Sequence, residues 1–188
     1  MSDEIQLKTE PQWYKKPDMI VGLSALMVSL VAVLVGVYSA YIDRAYARAS
    51  VWPSIQLGRT YSLTDGNLNF AYLAINNGTG PAIIKTLKIS RGETVVTQWA
   101  ELIALAGVKD VSYMQSQLNY SVIPANQRIT ALQTADNSLI DVLMVQDNVT
   151  RIEMCYCSIY DECWQVDKTN QPQPVEQCEL KDSLQFRQ

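Results

Sequence analysis

"RIEMCYCSIYDECWQV", residues 151–166, reads as a β-hairpin closed by sulfur. A strand sends alternate side chains to opposite faces, so Cys155 and Cys157 share one face and Met154 takes the other. With Ile159-Tyr160-Asp161 as a three-residue loop, Ser158 stands opposite Glu162 and Cys157 opposite Cys163. Opposed Cβ atoms lie about 4.5–5.5 Å apart, a small adjustment from disulfide geometry. Cys155 is then left for Cys178, farther along the chain. A competing reading makes Cys155, Cys157 and Cys163 three thiolate ligands for Cu(I) or Zn(II), with Met154 or Met144 as soft helpers. The placement of Met154 on the other face tells against it, as does the absence of a Cys-x-x-Cys spacing.

Upstream of the hairpin the chain reads mainly as strands. "SIQLGRTYSL" (54–63) and "NLNFAYLAINN" (67–77) are separated by the turn signal Thr64-Asp65-Gly66. "NNGTGP" (76–81) is a second break, followed by "AIIKTLKIS" (82–90) and the turn Arg91-Gly92-Glu93. Residues 117–123 and 128–134 flank the loop 124–127. One stretch has helical spacing: in "TQWAELIALAG" (97–107), Trp99, Leu102, Ile103 and Ala106 recur at i, i+3, i+4 and i+7, and Gly107 suits the position after a helix end. Six to eight short strands with polar turns and one short helix predict a mainly β chain, an antiparallel β-sandwich over residues 51–168. The polar segment 169–188 is expected to be an extended tail, tied down if Cys178 is bridged.

Ahead of the strands, Met19 to Ile42 is a run of 24 residues without a charge. As a helix it reaches about 36 Å, enough to cross a hydrocarbon core of about 30 Å with some tilt. The run is longer than the apolar region of a cleaved signal, and its Ala47-Arg48-Ala49 triplet lies beyond Asp43 and Arg44. A retained signal anchor is therefore expected. Trp13 and Tyr14 before the run, and Tyr38, Tyr41 and Trp52 marking its far end, match the two aromatic belts of a spanning helix. Asp18 caps the start, and Pro53 stops the Ala-rich continuation "IDRAYARAS". The expected organisation is a tail over 1–17, the spanning helix with its extension over 18–50, and the two exported segments.

The small residues of this helix are evenly placed. Gly22, Ser29 and Gly36 are seven apart, as are Ala25, Ala32 and Ser39, and together they form one seam at intervals of three and four. Small residues let helix backbones approach closely in lipid, where packing drives association. The seam points to a helix–helix contact, with a second copy or with another membrane subunit.

Basic residues are balanced across the helix: Lys8, Lys15 and Lys16 before it, Arg44, Arg48 and Arg59 after it. The positive-inside rule is thus silent. The four cysteines all follow the helix, which suits an oxidising compartment outside the cytoplasm. This places residues 1–17 in the cytoplasm and the C-terminal part in a periplasm, with the bacterial inner membrane as location. The order of an apolar helix, "ASVWP" (49–53), "AINNGTGPAIIK" (74–85) and "CYCSIYDECW" (155–164) resembles a group of uncharacterised bacterial single-pass membrane proteins. That resemblance implies an immunoglobulin-like extracytoplasmic domain and carries no activity with it.

From Val51 onward there are ten Lys/Arg and fourteen Asp/Glu, without a basic patch, so nucleic-acid binding is not expected. The chain has no histidine, which removes Ser-His-Asp and Cys-His mechanisms and the usual general base near neutral pH. Phosphate-loop, dinucleotide and nucleophile-elbow motifs are missing as well. The sequence thus predicts a non-enzymatic membrane protein without a cofactor, whose partners are the lipid bilayer and other membrane subunits. The different-class alternative is a membrane-tethered thiol or metal handler built on Cys155, Cys157 and Cys163.

Overall fold

A computed structural model describes residues 17–64 and 66–187. Trp13, Tyr14 and nearly all of the expected 1–17 tail lie outside the described residues. The chain divides into two compact units, residues 1–47 and 48–188.

The described part of the first unit is helical. α1 runs Pro17–Ser50, with Asp18 in its first turn and Arg48 in its last, the charges that complement the two ends of a helix dipole. None of its side chains is buried. By length and composition this helix can cross a membrane. It ends three residues before Pro53, where the proline forbids continuation.

The second unit holds two antiparallel sheets. β1 (Ile55–Thr64) and β2 (Asn67–Asn76) pair along their whole length, from Ile55 opposite Asn76 to Thr64 opposite Asn67. Gly66 takes φ +80° between them, the left-handed conformation that glycine adopts without strain. β7 (Arg128–Thr134) and the two-residue β5 (Met114–Gln115) complete this sheet in the order β1-β2-β7-β5. The second sheet has the order β10-β9-β8-β3-β4, from β3 (Ala82–Arg91), β4 (Thr94–Val96), β8 (Thr150–Cys157), β9 (Cys163–Val166) and β10 (Gln173–Val175). The short β6 (Val122–Ile123) also pairs with β3. Segments 117–123 and 128–134, which flank one loop, thus join different sheets.

Alternation along the strands sets the core. Leu57, Phe70, Tyr72 and Ala74 of the first sheet join Ile84, Leu87, Ile89, Met154 and Tyr156 of the second in one hydrophobic cluster. α2 (Trp99–Leu105) adds Trp99, Leu102 and Ile103, and Gly107 follows it at φ +84°. α3 (Asn137–Gln146) adds Leu139, Ile140 and Leu143. Its start is capped by Asp136, whose Oδ1 accepts from the backbone N–H of Ser138 at 3.0 Å and of Leu139 at 3.4 Å.

The expectation of a mainly β chain is therefore too strong. Helices of 34, 7 and 10 residues accompany the strands, and the chain is a mixed helix and sheet structure with antiparallel sheets. α3 was invisible to the strand pattern, because its apolar residues form a run in which period two and period 3.6 are hard to tell apart.

Two buried knots join distant segments of this unit. Asn76 is fully buried. Its Oδ1 accepts from the N–H groups of Ser54 at 3.1 Å and Gly78 at 3.0 Å, and its Nδ2 donates to the carbonyls of Gly80 at 2.8 Å and Ile123 at 3.0 Å. The loop this ties down passes so close to the chain at 51–54 that a Cβ on Gly80 would lie within 1.9 Å of the Val51 carbonyl oxygen. In the second, Phe186 is fully buried and meets Trp99 edge-on at 5.0 Å. The Phe186 N–H donates to Leu87 O at 2.8 Å, and Gln185 Nε2 donates to Asn119 Oδ1 at 2.6 Å.

Candidate functional site

The four cysteines lie on the face of the second sheet opposite its core. Met154 and Tyr156, their neighbours in β8, are fully buried in the cluster shared with the first sheet, so Cys155 and Cys157 point the other way. Cys157 pairs with Cys163 across β8 and β9. One residue farther out, the Ser158 N–H donates to Glu162 O at 2.8 Å, which makes 157/163 a non-hydrogen-bonded pair. Such pairs bring Cα atoms closest, and here they are 4.0 Å apart, with the sulfurs bonded. Cys155 is bonded to Cys178 across a separation of 23 residues, with Cα atoms 5.6 Å apart. β10, which precedes Cys178, has meanwhile paired with β9.

The bridges lie side by side: Cys157 Sγ and Cys178 Sγ are 3.7 Å apart. The sulfurs of Cys157, Cys163 and Cys178 all fall within 4.8 Å of one another. The closest trio thus contains Cys178 in place of Cys155. With both bridges formed, no described cysteine is free, and the metal-ligand arrangement would need them reduced. Met154 faces the core, and Met144 sits on the exposed part of α3.

A second cluster escaped the sequence reading because its members are far apart in the chain. Arg59 of β1 stands opposite Tyr72 of β2. Asp147, at the C-terminal end of α3, gathers three partners. Its carboxylate meets Arg59 at 2.5 Å and Lys168 at 2.7 Å, and accepts from the Tyr72 hydroxyl at 3.0 Å. Lys168 Nζ also donates to the Asp147 carbonyl at 2.7 Å. Burial would raise the Asp147 carboxyl, but the hydrogen bonds and charges of Lys168, Tyr72 and Arg59 outweigh it and hold it below its ordinary value. Tyr72 moves the other way: burial first, then the Asp147 charge, push its hydroxyl far above the usual phenol range.

These four residues border a cavity of about 240 Å³. Its walls come from both sheets, with Leu57 and Ala74 from one and Leu87, Ile89, Ile152 and Met154 from the other, and Trp99 completes the lining. A sequence signal for this site did exist. Arg59 falls in the same alternation phase as the buried Leu57, a charge where an apolar residue is expected.

The helix residues keep their exposure. Gly22, Ala25, Ser29, Ala32, Gly36 and Ser39 lie on α1, and a Cβ on Gly22 or Gly36 would meet nothing within 4 Å. Ser29 Oγ donates to Leu26 O at 2.8 Å, satisfying its hydroxyl within the helix. Tyr38 and Tyr41 are exposed on α1. Trp52, by contrast, sets its ring edge-on to Trp164 at 6.4 Å, so it also belongs to the packing of the second unit.

Compared with protein-family models, with curated proteins and with solved structures, the chain matches none.

Proposed function

We propose that this chain is a non-enzymatic, single-pass membrane protein of the bacterial inner membrane. Its two sheets pack as an immunoglobulin-like β-sandwich in the periplasm and serve as an interaction or accessory subunit of a membrane complex. The observation that carries the reading is α1, which has no buried side chain in a chain whose other unit has a core of its own. In water, a helix apolar on every face would aggregate; in lipid it satisfies all its backbone groups internally. Paired cysteines support an oxidising location for the second unit. The open seam from Gly22 to Ser39 supports association through the helix, with a second copy or with another subunit.

The test is topology and extraction. A reporter active only when exported should work fused after Gln188 and fail at the N-terminus, and the protein should resist alkaline extraction from membranes. The reverse reporter pattern overturns the orientation, and release into the alkaline wash overturns the anchor. A thiol-handling role is favoured by one observation, the 3.7 Å approach of Cys157 to Cys178, which would let an opened bridge pass to its neighbour by exchange. Mass spectrometry of protein purified without reductant separates the two: a single pair of bridges supports the structural role, and a mixture of pairings supports exchange.

A further inference from the structure

The cavity between the sheets is more than a packing fault. At about 240 Å³ it exceeds the roughly 150 Å³ that accommodates benzene in an apolar protein core. It lies somewhat below the roughly 300–1,000 Å³ of sites for drug-sized molecules. Its walls are mostly apolar, and two polar features belong to residues that line it. Trp99 lines it, is 1% exposed, and its indole Nε1–H has no acceptor among the described residues. Leaving a buried donor unpaired is costly, and buried indole N–H groups ordinarily find a partner. At the border, Arg59 and Lys168 face the single carboxylate of Asp147, which leaves one positive charge in excess. The Arg59 side chain is 48% exposed, and a guanidinium bound to one carboxylate oxygen keeps N–H groups to offer.

We propose that this cavity binds a small amphiphilic carboxylic acid. The apolar body, a single ring or a medium-length acyl chain, lies between the sheets. One uncharged oxygen on that body accepts the Trp99 Nε1–H, and the carboxylate meets Arg59 at the mouth. Asp147, held by Lys168 and the Tyr72 hydroxyl, fixes the guanidinium and repels a second negative charge, so a monoanion fits better than a dianion. The site does not depend on which side of a membrane the domain occupies.

The experiment uses the full chain in lipid nanodiscs, with empty nanodiscs as the blank for partitioning. The probe is 3-(4-methoxyphenyl)propionate. Its comparison molecules are the 4-ethyl analogue, which has the same shape without the ether oxygen, and the uncharged propanamide. Calorimetry should give a dissociation constant in about the sub-millimolar to millimolar range for a ligand of this size. The ethyl analogue should bind about tenfold more weakly, because it leaves the indole unpaired. Arg59→Gln should weaken the acid about tenfold and leave the amide unchanged. In a ¹H–¹⁵N spectrum the Trp99 indole resonance, identified by its loss in Trp99→Phe, should shift with the methoxy probe. Ala131→Leu, which fills the cavity, should abolish the calorimetric signal while the backbone spectrum stays folded. Should that variant unfold, Arg59→Gln alone decides. Three results would overturn the proposal: no binding above the blank, equal binding of acid and amide, or an unmoved Trp99 resonance at saturation.

Discussion

Removing the two bridges one at a time gives an unequal pair of losses, and the structure sets their ratio. A disulfide restricts the unfolded chain in proportion to the logarithm of the loop it closes. Cys155–Cys178 spans a separation of 23 residues and Cys157–Cys163 a separation of 6. On the loop-entropy relation these correspond to about 3.4 and about 2.2 kcal/mol at 25 °C. Each bridge must be removed whole, as Cys155→Ala with Cys178→Ala, or Cys157→Ala with Cys163→Ala. A single replacement would free a thiol beside an intact bridge, with Cys157 and Cys178 only 3.7 Å apart. The assay is guanidinium unfolding of the full chain in mild detergent, followed by tryptophan fluorescence. The longer bridge should cost more by about 1.2 kcal/mol, seen as a lower midpoint at similar slope. The hairpin also has its own turn, with Ser158 Oγ accepting from the N–H of Tyr160 at 3.1 Å and Glu162 at 3.3 Å, which further reduces its dependence on sulfur. A larger loss from the short bridge, or no loss from the long one, refutes the reasoning.

Asn76→Ala leaves the Ser54 and Gly78 N–H groups and the Gly80 and Ile123 carbonyls without their partner. The loss should reach at least about 3 kcal/mol, read as a lowered unfolding midpoint. Gly80→Ala, which drives a Cβ into the Val51 carbonyl, should cost about 3 kcal/mol on the same curve, and unchanged stability would disprove the close approach. The Asp147 carboxyl lies below its unfolded value of about 3.9, so its contribution is present above that pH and fades as pH falls through the folded value. Asp147→Asn should flatten the acid limb of a stability-versus-pH profile. Tyr72 has the opposite sign: raised in the folded state, it contributes fully below pH about 10 and its contribution is lost above, so Tyr72→Phe should soften the alkaline limb. On α1, Gly36→Leu should reduce crosslinking between helices while Val33→Leu, off the seam, should not, and equal behaviour would reduce the seam to composition.

The hairpin at 151–166 could be read in the sequence because its chemistry is local. Alternation and a short loop fix which residues face each other, and the register found, Cys157 opposite Cys163, follows from those two alone. α2 was equally legible, since Trp99, Leu102 and Ile103 carry a clear helical period and Gly107 punctuates the end. α3 was not, because "SLIDVLMV" (138–145) has apolar residues in both phases, and only the Asp136 cap marks it as a helix. The cluster around Asp147 was illegible for a different reason. Residues 59, 72, 147 and 168 meet through the pairing of β1 with β2, the placement of α3 beside β2, and the contact of β1 with β9, which precedes Lys168. No spacing in the chain encodes that meeting, though the misplaced charge of Arg59 hints at it. Asn76 read as a turn residue, and its side chain instead joins three separate segments.

Phe186 against Trp99 imposes an order of events on the growing polypeptide. Synthesis delivers residues from the N-terminus onward, so the sheets and α2 exist as sequence well before the aromatic plug that covers the Trp99 ring. Until that plug arrives, Trp99 presents a wide apolar face to its surroundings. The Cys155–Cys178 bond shortens the wait, because Cys178 precedes Phe186 by only eight positions. Once sulfur has joined the tail to β8, the plug searches a small volume at high effective concentration instead of the whole reach of a free end. Oxidation thereby acts as a ratchet on closure: a reduced chain must bring Phe186 to Trp99 without that tether, and an oxidised one searches within eight residues of the bridge.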